Sequence, residues 1–172
     1  MTRGRVLSVL RLCVVLFGCA HSPSEVVQKI KYDFGLGEKP EGYVTGAEKV
    51  MANLRQVGEA EMKRMNLANR HGEVEFQQEG GFQGRYYKVV KIYENVYPLE
   101  ARPITRTVEG GRGYVGYIEY SYRIYESERK TNRTEAEATS AAIRTEQVGR
   151  ETYRYKFNSA GVWDGGEGEP TR

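Results

Sequence analysis

The feature that most constrains this chain is a change of period at Gly72. Before it, from Thr45 onward, apolar residues recur at helical spacing; after it, they alternate. Val50, Leu54, Val57 and Glu61 mark one line, with Met51, Met62 and Met65 beside it and charged residues opposite. That is the stripe of an amphipathic helix. Thr45-Gly46-Ala47-Glu48 is a capping box that opens it, and residues 69–72 close it, with His71 in the closing loop. The methionines suit core packing better than an adaptable binding face.

Beyond Gly72 the residues read as strands. Glu73-Val74-Glu75-Phe76-Gln77 alternates polar and apolar, and Gly80-Gly81 makes a turn. Residues 86–97 carry apolar groups on both faces: Tyr87, Val89, Tyr93 and Tyr97 on one, Val90, Ile92 and Val96 on the other. A strand of that kind is central. Residues 98–113, with two prolines and three glycines, read as a long connection. Residues 114–125 read as the longest strand, with Tyr114, Ile118, Tyr120, Tyr122 and Ile124 on one face and Glu119, Ser121 and Arg123 on the other.

Residues 126–135 are polar and read as a hairpin tip; residues 136–147 fit strand or helix equally. In the last strand Tyr153, Tyr155 and Phe157 point one way. A turn at residues 158–161 then lets Val162-Trp163 pair back. The expectation is an α+β fold, with N-terminal helices packed on a curved antiparallel sheet of about four to five strands. Its ordering loosely resembles the cystatin-like and nuclear-transport-factor-2-like folds.

The first nineteen residues read differently. Arg3, Arg5 and Arg11 precede any acid, and an apolar run, residues 12–17, is followed by Gly18 and Cys19. A cationic start, an apolar stretch and a small residue make an export signal, and the run is too short to span a bilayer. A plain cleaved signal and an organelle transit peptide are the rival readings. Leu16-Phe17-Gly18-Cys19 resembles the lipobox of bacterial lipoproteins. The resemblance implies cleavage between Gly18 and Cys19, lipid on Cys19, and a protein held to a membrane outside the cytoplasm. Ala20 after the cysteine, in place of Asp, implies the outer membrane facing the periplasm where the cell has two membranes. Acyl chains contribute about 0.8 kcal/mol per buried methylene, and two or more anchor stably.

The chain then divides into a signal (1–18), a lipidated tether with a short helix (19–44), one α+β domain (45–163) and a flexible tail (164–172). Ser22-Pro23-Ser24-Glu25 starts the short helix, and His21 belongs to the tether.

Cleavage would change the charge. Of 26 Lys and Arg, the three before Cys19 leave, so the remaining basic residues equal the 23 Asp and Glu. A neutral mature domain gives no case for nucleic-acid binding. Both cysteines, Cys13 and Cys19, lie in the signal and at its end, so the domain has no thiol for a disulfide, ligand or nucleophile. With two histidines, a metal site or a Ser-His-acid triad has too few partners. The glycines at 80, 81 and 84 and at 110, 111 and 113 form no phosphate loop. No cofactor is expected.

Thirteen tyrosines against five phenylalanines stand out. Tyr93, Tyr120, Tyr122, Glu119 and Tyr155 are the candidate lining of a pocket on a concave sheet. The simpler account has them packing across strands, with charges in cross-strand pairs. The expected function is a non-catalytic, lipid-anchored envelope protein that binds an envelope partner or has a structural role. The alternative is a small-ligand binder or a hydratase/isomerase-type enzyme using that pocket.

Overall fold

The capping box forms as its residue types dictate. Thr45 Oγ1 accepts the Glu48 main-chain N–H at 3.1 Å, and Glu48 Oε2 accepts that of Thr45 at 2.9 Å. The helix that follows is Gly46–Asn69. A computed structural model describes residues 23–33, 36–79, 83–104 and 113–171. Residues 1–18, read as a signal, the lipobox-like Gly18 and Cys19, His21, and Gly80-Gly81, read as a turn, lie outside the described residues.

The chain forms two units, Met1–Tyr43 and Val44–Arg172. The first contains helix α1, Pro23–Asp33, and a loop in which Gly37 and Gly42 have positive φ. Tyr32 meets Tyr43 edge-on, with ring centres 6.4 Å apart.

The second unit is α+β. Helix α2, Gly46–Asn69, precedes strands β1 (Glu73–Glu79), β2 (Gln83–Ile104) and β3 (Gly113–Glu126). A short helix α3 (Arg133–Ala138) follows, then β4 (Ile143–Asn158) and β5 (Glu169–Pro170). The five strands form one curled antiparallel sheet in chain order. Register shifts at Tyr93/Asn95, Pro98/Glu100 and Arg123/Tyr125 bend it, since a bulge increases local twist.

Helix α2 lies on β2 and β3. Val50, Leu54 and Val57 enter the core and meet Tyr93 and Val96 of β2, Ile118 and Tyr120 of β3, and Tyr155 and Phe157 of β4. Each large apolar side chain removed from water in this way contributes about 1.5–3 kcal/mol. Gly116 sets the depth of the contact: a Cβ there would lie 2.4 Å from Leu54 Cδ2 and 2.9 Å from the Phe157 ring. Met62 and Met65 pack on this core, while Met51 is exposed. Gly72 turns the chain from α2 into β1 at φ 61°, where a Cβ would strike the Val89 carbonyl.

Four expectations change. β2 is the longest strand, with 22 residues against 14 in β3. Residues 98–104 continue it, so the connection read over 98–113 is shorter. Pro98 and Pro103 sit inside a strand because β1 covers only residues 83–89. Beyond them β2 is an edge, where a missing N–H does no harm.

Residues 126–135 are not a simple tip, and residues 136–147, open between strand and helix, contain the end of α3 and the start of β4. Lys130 pairs with Tyr86, and α3 packs over β2 and β1 with Ala136 buried, before β4 begins at Ile143. Where a flexible tail is expected, β5 pairs with Tyr153 and Arg154. The Val162-Trp163 return does form, as a Phe157–Trp163 bridge.

Candidate functional site

Alternation along β2 and β4 places charged-x-Tyr pairs on the concave face. Lys91 and Tyr93 stand on β2, and Glu151 and Tyr153 on β4, with β3 between them. Gly149, opposite Tyr122, leaves room for the Tyr122 ring: a Cβ there would lie 2.4 Å from the Tyr122 hydroxyl. The Lys91 ammonium donates to Glu151 Oε1 at 2.7 Å and lies 4.6 Å from the Tyr122 ring centre. The Tyr93 hydroxyl donates to Glu151 Oε2 at 2.5 Å, the Tyr153 hydroxyl donates to the same oxygen at 3.0 Å, and the two hydroxyls are 3.1 Å apart.

A lattice of tyrosines surrounds this cluster. Tyr93 meets Tyr120 and Tyr122 edge-on at 5.9 and 6.0 Å, and Tyr120 meets Tyr153 at 5.6 Å. Edge-to-face pairs of this kind contribute about 0.5–1.5 kcal/mol each beyond burial. Beneath them the hydroxyls of Tyr120 and Tyr155 share a fully buried hydrogen bond of 2.8 Å.

Burial pushes the Tyr93, Tyr120 and Tyr155 phenols well above the ordinary tyrosine value. Hydrogen bonds add to the effect at Tyr93 and Tyr155, and at Tyr120 the Tyr155 contact partly opposes it. Tyr153 is raised too, chiefly by burial. At Glu151 burial acts upward, but Lys91, Tyr93 and Tyr153 stabilise the charged form and hold the carboxyl below its usual value.

Two hollows open on this lattice at the C-terminal half of α2. One, of about 270 Å³, lies among Glu61, Arg64, Met65, Tyr93, Tyr153, Tyr155 and residues 167–168. The other, of about 420 Å³, lies among His71, Glu73, Glu75, Val89, Lys91 and Ile124. Ala68, Asn69 and Tyr93 line both, so the two hollows share a wall beside α2 and together make up the trough. In the first, Glu61 is 3% exposed and takes two hydrogen bonds from Arg64, at 3.0 and 2.7 Å. A charge on the buried helix line is tolerated because this fork-to-fork pair satisfies it.

Of the residues expected to line a pocket, Tyr93 and Tyr155 do so. Tyr120 lies under them, and Tyr122 carries the Lys91 ammonium. Glu119 does not belong to the trough: it occupies the opposite face of β3 and pairs with Arg150 at 2.9 Å. Glu151, Tyr153, Glu61 and Arg64 are the members that the sequence reading missed. The repeated charged-x-Tyr spacing on two strands was the signal for the first two.

Among the described residues no three His, Cys, Asp or Glu side chains converge as metal ligands, and no helix is long and apolar enough to cross a membrane. No family model, no curated protein and no solved structure matches this chain.

Proposed function

We propose that this chain is a non-catalytic protein of the cell envelope, held to a membrane by lipid on Cys19, whose sheet domain binds a partner through the trough beside α2. The anchor rests on Leu16-Phe17-Gly18-Cys19 and the cationic, apolar stretch before it. The binding role rests on one observation: the Lys91–Glu151–Tyr93–Tyr153 network is closed on itself. Its carboxyl is pulled down and its phenols are pushed up, so both move away from neutral pH. General acid–base work needs a group tuned toward the operating pH. The network therefore suits a rigid surface of rings and satisfied charges better than a reaction centre.

The two hollows favour a second reading, in which the occupant is a small ligand rather than a protein, since volumes of this order suit small molecules. The fold belongs to the same proposal. One long helix followed by an antiparallel meander curled beside it supports a cystatin-like or nuclear-transport-factor-2-like architecture.

Metabolic labelling with an alkyne fatty acid tests the anchor. Wild type takes up label and Cys19→Ala does not; equal labelling, or none in either, removes the anchor from the account.

A further inference from the structure

The C-terminal segment, residues 164–171, forms one wall of the smaller hollow through Glu167 and Gly168. It is held in an unusual way for a sheet edge. β5 has two residues and pairs only with Tyr153 and Arg154. Past it, Thr171 donates its N–H and its hydroxyl to the Thr152 carbonyl at 2.8 and 3.0 Å. At its start the Asp164 N–H donates to the Lys156 carbonyl at 3.4 Å; the side-chain ties between are ionic and reach two different elements. Glu167 pairs with Arg64 of α2. Glu169 pairs with Arg154 and, at 2.6 Å, with Lys156 of β4.

Between these two acids Gly168 rests on the Tyr155 ring, where a Cβ would lie 2.6–2.7 Å from ring and hydroxyl atoms. Just upstream, Gly165 has φ 78°, and the Gly166 N–H is held by Asp164 Oδ1 at 2.8 Å. The segment therefore has a glycine bend at one end, ionic ties at the other, and a residue without a side chain over the aromatic floor. Exposed ion pairs are individually weak and are screened by salt.

We propose that residues 164–171 are a latch that closes the Tyr155 end of the trough and opens it when its ion pairs to Arg64, Arg154 and Lys156 let go. This rests on the reading of the trough as a binding site. The latch is also what decides the size of ligand admitted: closed, the hollow is about 270 Å³, and open, it loses the wall made by Glu167 and Gly168. Partner binding that competes for Arg64 would release the same segment.

Amide hydrogen exchange on the full mature chain tests the latch without any ligand. In wild type the Thr171 amide exchanges about tenfold faster at 1 M than at 0.05 M salt, roughly what a few exposed ion pairs jointly contribute, while amides of β2 and β3 do not change. The double variant Glu167→Gln, Glu169→Gln exchanges fast at both salt concentrations and retains the protection of β2 and β3. Exchange of Thr171 only through global unfolding, in wild type and variant alike, overturns the proposal.

The second arm uses the dye 8-anilinonaphthalene-1-sulfonate as the probe of the hollow. The double variant and Gly168→Ala bind more dye than wild type. Equal binding by all three overturns the gating role even where exchange shows release. Neither arm depends on lipid at Cys19, so failure here and failure of the anchor are separate results.

Discussion

The side chain of Asn66 hydrogen-bonds both main-chain groups of Tyr93: Nδ2 donates to the carbonyl at 2.9 Å, and the Tyr93 N–H donates to Oδ1 at 2.8 Å. One turn on, Asn69 Nδ2 donates to the Lys91 carbonyl at 3.1 Å. Helix α2 thus supplies hydrogen bonds that a neighbouring strand would make on the uncovered edge of β2. It ends the sheet there, as edge strands require. It also fixes the two β2 residues, Lys91 and Tyr93, that hold Glu151.

Removing this clamp leaves two main-chain groups without partners. Asn66→Ala is expected to destabilise the domain by about 1–3 kcal/mol, and Asn69→Ala by about 1 kcal/mol. Urea unfolding followed by circular dichroism measures both. An Asn66→Ala midpoint equal to wild type would show that water replaces the clamp at no cost.

The contact of Gly116 with Leu54 gives a second expectation. Gly116→Ala overpacks the interface of α2 with β3 and costs about 1–3 kcal/mol. Leu54→Ala leaves a cavity and costs about 2–5 kcal/mol. Because the new methyl enters the space that Leu54 vacates, the double variant loses less than the two single losses combined. Strict additivity in a double-mutant cycle would mean that the two side chains do not meet.

The tyrosine lattice predicts a loss of stability in alkali. Tyr93, Tyr120, Tyr153 and Tyr155 have folded values raised above the ordinary 10.0. The folded state holds these protons more tightly, so their contribution is complete below pH 10.0 and is lost as pH rises beyond it. Tyrosinate absorbance should show these four ionising in one step with unfolding, after the exposed tyrosines. A smooth titration of all tyrosines in a protein still folded by circular dichroism would contradict the burial of the lattice.

At Glu151 the sign is opposite. Its folded value lies below the ordinary 4.5, so its contribution is present above that value and is lost as pH falls through the folded one. Glu151→Gln should cost about 1–3 kcal/mol at neutral pH, since Lys91 loses its counter-charge. It should also flatten the acid limb of stability against pH. An unchanged acid limb would place the pH dependence elsewhere.

Local features were legible in the sequence and non-local ones were not. The Thr45–Glu48 box, the Val50–Leu54–Val57 stripe and the alternation of Tyr153, Tyr155 and Phe157 each depend on neighbours within a few positions. They appear in the structure as read. Pro98 and Pro103 favour a connection by local pattern, whereas their place in a strand depends on how far β1 extends, which no local pattern records.

The trough depends on register across three strands. Lys91 and Glu151 are 60 positions apart, and the register of β2 on β3 and of β3 on β4 brings them together. Glu119 alternates onto the face opposite Tyr120 and Tyr122, and there it pairs with Arg150 and stays out of the trough. The polar stretches that became α3 and β5 had no periodicity long enough to reveal them. Asn132 caps α3 by accepting the Thr134 N–H at 2.8 Å, and Glu169 ties β5 to β4.

Intact-mass and N-terminal peptide analysis of the membrane-extracted protein reads the proposed anchor directly. With lipid on Cys19, the mature chain begins at Cys19 and carries the added mass of its acyl groups. A membrane-extracted chain that retains residues upstream of Cys19, or one that begins elsewhere with Cys19 unmodified, would contradict it.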